Sequence, residues 1–247
     1  MRAYELTSLM IDHDRLFKEL ISTFFWDFTT LFLPSVSEYV ERDSLIFLPQ
    51  EVFSDVTSGQ KREIDLLAKV KFQGRDTCFL IHLENQATSQ ADFCRRMFHY
   101  FARLDEKYQL PIYPVVLFSF DEPKRPENNE YIVTFPDKQV LNFNFTSIQL
   151  NRLNWRDYLR YPSPIAAALM AKMQFEPQER ARVKLECLRM IATLKLDPAR
   201  TQLISGFVDT YLRLDAVEEE RFERELENLG LVEGEKVMEI VTSWMER

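Results

Sequence analysis

Apolar residues at positions 16, 17, 20, 21, 24, 25 and 28 recur at helical spacing, which predicts one amphipathic helix over 13–32. Asp12 or Asp14 can cap its start, and Leu33-Pro34 ends it. From 43 to 79 the pattern shortens to strand-like runs at 51–56, 63–72 and 77–83, separated by the turn signals Ser58-Gly59 and Gln73-Gly74. The last two runs predict a hairpin. Residues 90–108 return to helical spacing, with Phe93, Met97, Tyr100, Phe101, Leu104 and Tyr108 on one face and Arg95, Arg96, His99, Arg103 and Lys107 mostly on the other. The nearly unbroken apolar run 112–120 has the character of a strand buried on both faces.

A loop rich in Pro, Glu and Asn follows at 121–130, then strand-like runs at 131–135 and 140–145. Beyond Asn151 the readable pattern is helical, at 164–175, 178–196, 198–214 and 217–229, with Asp197-Pro198 supplying a cap and a first-turn proline. This order predicts an α/β domain over 1–150, a mixed sheet flanked by helices, followed by an all-helical C-terminal region over 151–247.

Composition narrows the picture. With 46% hydrophobic residues the chain can bury a substantial core. Its three cysteines, Cys78, Cys94 and Cys187, show no CxxC spacing and are expected to be reduced, and its five glycines form neither a Rossmann nor a Walker pattern. No apolar run reaches the roughly 18 residues of a membrane span, and the segment from Met1 to Glu5 does not resemble a signal peptide, so a cytoplasmic protein without membrane contact is expected. The net charge of −8 is uneven: residues 215–247 hold eleven acidic and four basic residues, a net of −7, which leaves −1 for residues 1–214. The acidity belongs to the tail and does not exclude nucleic acid as a partner of the front end.

The strand at 77–83 runs directly into Glu84-Asn85-Gln86, and alternation puts Glu84 and Gln86 on one side if the strand continues. Asp65 sits among Ile64, Leu66 and Leu67 on the neighbouring run. A carboxylate there costs several kcal/mol to bury alone, which a shared hard cation such as Mg²⁺ would offset. The alternative is structural: Asp65 pairs with Arg62 or Lys69, while Glu84 and Gln86 begin a loop.

The ordered set of His13-Asp14-x-x-Phe17-Lys18, Phe32-Leu33-Pro34, Arg62-x-x-Asp65, His82-Leu83-Glu84-Asn85-Gln86, Arg96-Met97-Phe98-His99-Tyr100 and Pro111-Ile112-Tyr113-Pro114-Val115-Val116 resembles the PD-(D/E)XK nuclease superfamily. Within it, the set is most similar to the Rpn family of recombination-promoting nucleases, also described as putative transposases. The resemblance covers roughly residues 10–150. It implies a restriction-endonuclease-like core and a Mg²⁺-dependent DNA endonuclease, with Mn²⁺ as a possible substitute, linked to recombination or transposition. Asp65 and Glu84 would be metal ligands, and Gln86 takes the place of the superfamily's usual lysine. Being neutral, Gln86 cannot stabilise charge as an ammonium would, so a nuclease-fold protein that binds DNA or protein without cutting is the alternative.

Further candidates surround this set. Asp14 is either a third metal carboxylate or a helix cap, and Lys18 lies one turn further on. Arg95, Arg96, Tyr100 and Arg103, with Lys18, are candidates for DNA contact, although Asp92, Asp105 and Glu106 interrupt the basic stripe. His82 is either a direct participant or a satisfied core histidine. The acidic C-terminal helices could pair two copies in a homodimer or dock on the chain's own core.

Overall fold

A computed structural model of the chain describes residues 12–49, 52–54, 61–63, 65–75 and 78–245. Helices α1 (His13–Thr23), α2 (Phe25–Phe32) and α3 (Pro34–Tyr39) lead into strands β1 (Val40–Phe47), β2 (Val52–Ser54), β3 (Lys61–Glu63), β4 (Leu66–Phe72) and β5 (Cys78–Gln86). Helix α4 (Phe93–Tyr108) crosses to β6 (Ile112–Phe118), followed by β7 (Glu130–Thr134), β8 (Gln139–Asn144) and β9 (Thr146–Gln149). The remainder is helical: α5 (Trp155–Tyr158), α6 (Pro164–Leu169), α7 (Arg180–Thr193), α8 (Pro198–Tyr211), α9 (Ala216–Glu227) and α10 (Leu231–Met245). The expected turn at Ser58-Gly59 lies outside the described residues.

The architecture is α/β. Five strands form one mixed sheet in the order β1-β4-β5-β6-β9, and β2–β3 and β7–β8 form separate two-stranded pairs. Pairing is antiparallel from β1 through β5, then parallel from β5 to β6 and from β6 to β9. The hairpin expected around Gln73-Gly74 is the β4–β5 pair, with Leu66 opposite Leu83 and Lys71 opposite Cys78. Gly74 sits at φ 69°, a left-handed value that a glycine adopts without Cβ strain.

Strand alternation sorts the side chains into two layers. Ala68, Val70, Phe79, Ile81, Leu83, Val115, Leu117 and Ile148 face a large core shared with α1, α2, α6, α7 and α8. On the opposite face, Leu67, Leu80, Val116 and Phe118 pack against Phe93, Met97, Tyr100 and Leu104 of α4 and against Phe143 and Phe145 near the β7–β8 pair. The first core runs without interruption from the sheet into the helical half: Phe17 of α1 meets Phe207 of α8 edge-on at 4.9 Å between ring centroids. Phe222, Val237 and Ile240 of α9 and α10 are buried in the same cluster, so these apolar positions are covered within the chain. Among the described residues no helix is long and apolar enough to cross a membrane.

Two local departures from the sequence pattern matter. The single helix expected over 13–32 breaks at Phe24 (φ −118°, ψ 40°), and the break lets Phe24, Phe25 and Phe28 all be buried. Asp12, not Asp14, caps the first segment by accepting from the Arg15 N–H at 3.0 Å. Similarly, the run expected over 63–72 is shared between β3, which ends at Glu63, and β4, which begins at Leu66.

Because Phe17 and Phe207 are both fully enclosed, Phe207→Ala leaves a cavity at the joint between α1 and α8. Urea unfolding is expected to show a loss of about 3–5 kcal/mol; a loss under about 1 kcal/mol would mean that this joint does not hold the helical half to the sheet.

Candidate active site

The site lies where the parallel strands β5, β6 and β9 end, the edge at which open α/β sheets bind ligands. Strand β5 does not stop at Leu83 but continues to Gln86, so His82, Glu84 and Gln86 share the face covered by α4. All three are buried, at 0%, 5% and 6% exposure. Asp65 immediately precedes β4 and falls opposite Glu84 by continuation of the Leu66–Leu83 register.

At this point side chains replace the ladder. The Asn85 N–H donates to Asp65 Oδ2 at 2.7 Å, and the Asp65 N–H donates to Glu84 Oε1 at 3.3 Å. Each carboxylate therefore takes a main-chain donor of the opposite strand. Glu84 Oε1 also lies 2.8 Å from His82 Nε2. The His82 ring is edge-on to Tyr100 at 5.8 Å.

Electrostatically, the arrangement is short of positive charge. Burial first, and then the facing Glu84 carboxylate, push the Asp65 carboxyl up to about 8; Asp14 adds to the rise, while the Asn85 N–H and Lys18 oppose it. At neutral pH the pair thus retains a proton unless a cation takes its place. The available donors are hard carboxylate oxygens. Among the described residues no three His, Cys, Asp or Glu side chains form a metal-holding group. That donor set does not suit a closed zinc site, but it fits Mg²⁺ or Mn²⁺, because Mg²⁺ is usually held by one or two carboxylates with water and substrate oxygens completing the shell.

Compared with known proteins, the chain matches no family model, no curated protein and no solved structure.

The structure distributes the other expected residues unequally. Asp14 is exposed and Lys18 half-buried on α1, both close enough for their charges to act on Asp65. Arg96 turns inward: one guanidinium nitrogen donates to Gln86 Oε1, another to Gln90 Oε1, and the group stacks 4.8 Å from the Phe93 ring centroid. Gln86 also donates through Nε2 to the Thr88 carbonyl, so its carboxamide is held at both ends. Tyr100 is 4% exposed and lies in the core beneath His82. Arg95 is exposed and lines a cleft of about 780 Å³ with Arg125, whereas Arg103 is half-buried further along α4.

Two features here were not anticipated from the sequence. Asn85 is buried with neither side-chain amide atom hydrogen-bonded among the described residues. Lys172, which is 8% exposed, interrupts the otherwise apolar stretch from Ile165 to Met173, and that interruption was the available signal.

A carboxyl whose titration is raised by folding favours the folded state most below its ordinary value near 3.8, and that contribution is lost as pH rises toward about 8. In EDTA, Asp65→Asn is expected to flatten the decline of Tm between pH 4 and 8 and to raise Tm at pH 8 by several degrees, at roughly 2–4 °C per kcal/mol. An unchanged pH profile would mean that Asp65 is not held against Glu84 in solution.

Proposed function

We propose that this chain is a divalent-metal-dependent DNA endonuclease with a PD-(D/E)XK-type core, acting in recombination or transposition. The observation that carries the reading is the reciprocal pair at the end of the β4–β5 ladder, where Asp65 and Glu84 are each fixed by a main-chain donor of the opposite strand. Two carboxylates held this firmly, short of countercharge and beside the sheet's carboxyl edge, suit a hard cation and a phosphodiester.

In this reading Asp65 and Glu84 hold the ion, with Asp14 within electrostatic reach. Bound there, Mg²⁺ or Mn²⁺ would polarise the phosphoryl oxygen and acidify a water. His82 positions Glu84, since its ring is fully buried and reaches Glu84 Oε1. Gln86 lies on the same face two residues on, able to orient water or phosphate. The cationic charge that Gln86 lacks comes from Arg96, whose guanidinium donates to its carboxamide oxygen. Arg95 is the exposed cation nearest along α4 for contact with a DNA backbone.

A second reading, a binding module that does not cut, draws on one specific observation. Both ends of the Gln86 carboxamide are engaged within the chain, by Thr88 and Arg96.

Nicking of supercoiled plasmid separates the two. Wild-type protein is expected to nick with Mg²⁺ or Mn²⁺ and not with EDTA, and Asp65→Ala or Glu84→Ala is expected to lower the rate at least about 10³-fold. Arg96→Met is expected to lower kcat about 10²-fold, as for the loss of one positioned donor, with little change in KM, and Arg96→Lys to recover part of it. Folded wild-type protein that binds plasmid but leaves it intact with both metals supports the binding module instead.

A further inference from the structure

Lys172 ends the 3-10 turn Met170–Lys172 that follows α6, and its side chain is 8% exposed. A buried ammonium requires countercharge. Its Nζ lies 2.5 Å from Asp121 Oδ1 and 4.8 Å from the centroid of the Tyr211 ring. The Asp121 side chain, however, is 84% exposed. The pair thus joins an enclosed cation to a carboxylate that faces largely into solvent.

Around this pair is a cleft of about 260 Å³ between the loop after β6 and the helical half, lined also by Lys124 and Arg180. Its volume falls below the ~300–1,000 Å³ of pockets that take drug-sized ligands, and so suits a small group. Three cations line it, each with a carboxylate beside it: Lys172 with Asp121, Lys124 with Glu122 at 3.9 Å and Arg180 with Glu218 at 3.5 Å. The loop is firmly placed: Gln149 donates to the Arg125 carbonyl at 2.9 Å, and Asn151 donates to the Asp121 carbonyl at 3.0 Å. On the α1 side, the Tyr211 hydroxyl is hydrogen-bonded to His13 Nδ1 at 2.7 Å. The loop leaves β6 after Phe118, which pairs with Gln86, and the Ser119 N–H donates to the Gln86 carbonyl at 3.0 Å, so the cleft lies beyond the same strand ends as the acid pair.

We infer that this cleft is a phosphate subsite for the nucleic-acid strand, taking a backbone phosphate next to the one at Asp65 and Glu84. Lys172 is its enclosed cation, and Lys124 and Arg180 border it. The inference rests on the nuclease reading above for the identity of its ligand. Asp121 occupies Lys172 until a phosphate displaces it, so Asp121 opposes binding.

The test is equilibrium binding of a short labelled DNA duplex across a range of KCl, in EDTA so that no cleavage intervenes. Lys172→Met is expected to weaken binding about tenfold, the loss of one charge-assisted contact, and to reduce the slope of log K against log salt by about 0.9. Lys124→Gln, a change at an exposed position that spares the core, should act in the same direction. Asp121→Asn should tighten binding by more than Glu223→Gln, which removes the same charge from the surface of α9. Inorganic phosphate should compete with the duplex in wild-type protein and lose that effect in Lys172→Met.

The subsite is overturned if Lys172→Met and Lys124→Gln both keep wild-type affinity and salt slope, or if Asp121→Asn does no more than Glu223→Gln. A pure ion-pair role for Lys172 and Asp121 predicts that result, with Lys172→Met and Asp121→Asn lowering Tm instead. Lys172-dependent DNA binding by a protein that nicks nothing would support the subsite and reject the hydrolytic reading. Normal nicking with Lys172-independent affinity would reject only the subsite.

Discussion

The exchange of hydrogen bonds between Asp65 and Glu84 and the main chain of the facing strand is the constraint on which the site depends. An antiparallel ladder normally continues through carbonyl acceptors, but beyond Leu66 and Leu83 the acceptors are carboxylates. Register and chemistry are thereby coupled. A slip of one residue between β4 and β5 would turn Ala68, Val70, Phe79 and Ile81 away from the large core and separate the two acids at the same time. The apolar alternation that stabilises the sheet is therefore what holds the acids opposite each other.

This coupling brings an electrostatic cost that the surrounding elements share. Burial and the facing carboxylate leave Asp65 poorly charged, and the residues able to respond come from different parts of the chain. Lys18 of α1 opposes the rise at Asp65, and Arg96 of α4 reaches the same strand face through Gln86. The continuous core between Phe17 and Phe207 sets α1 in position against the helical half. In that sense the helical half contributes to the edge of the sheet, and its buried aromatic contacts belong to the same argument as the acids.

Much of the sheet was legible because it is buried. The β4–β5 hairpin, β6 and α4 each bury apolar residues at regular spacing, and the alternation from His82 through Gln86 placed Glu84 and Gln86 on one face. The elements that escaped notice are those held by main-chain pairing rather than by an apolar pattern. β1 is an edge strand with exposed Glu41, Arg42 and Asp43; the Lys71 N–H donates to Ser44 Oγ at 2.8 Å near its register shift. β9 is only four residues long, and its Gln149 turns its amide to the loop that carries Asp121. Likewise, spacing indicated that α4 carried basic residues but not that Arg96 would turn inward to Gln86. That direction depends on a buried acceptor contributed by another strand.

Gln86 and Arg96 bear most directly on the choice between cutting and binding. A lysine at 86 would bring its own charge to the acid pair, and its flexible stem would let that charge move with the substrate. The glutamine is neutral and held at both ends, while its charged partner is a guanidinium stacked on Phe93. Planar, always charged and unable to give up a proton, that group suits electrostatic positioning and not proton transfer. If the site hydrolyses phosphodiesters, the proton of the attacking water must leave by another route, through solvent or an acidic oxygen of the pair itself. The raised Asp65 carboxyl belongs to the pair without a cation; an ion held by Asp65 and Glu84 takes the place of that proton, which leaves solvent as the route.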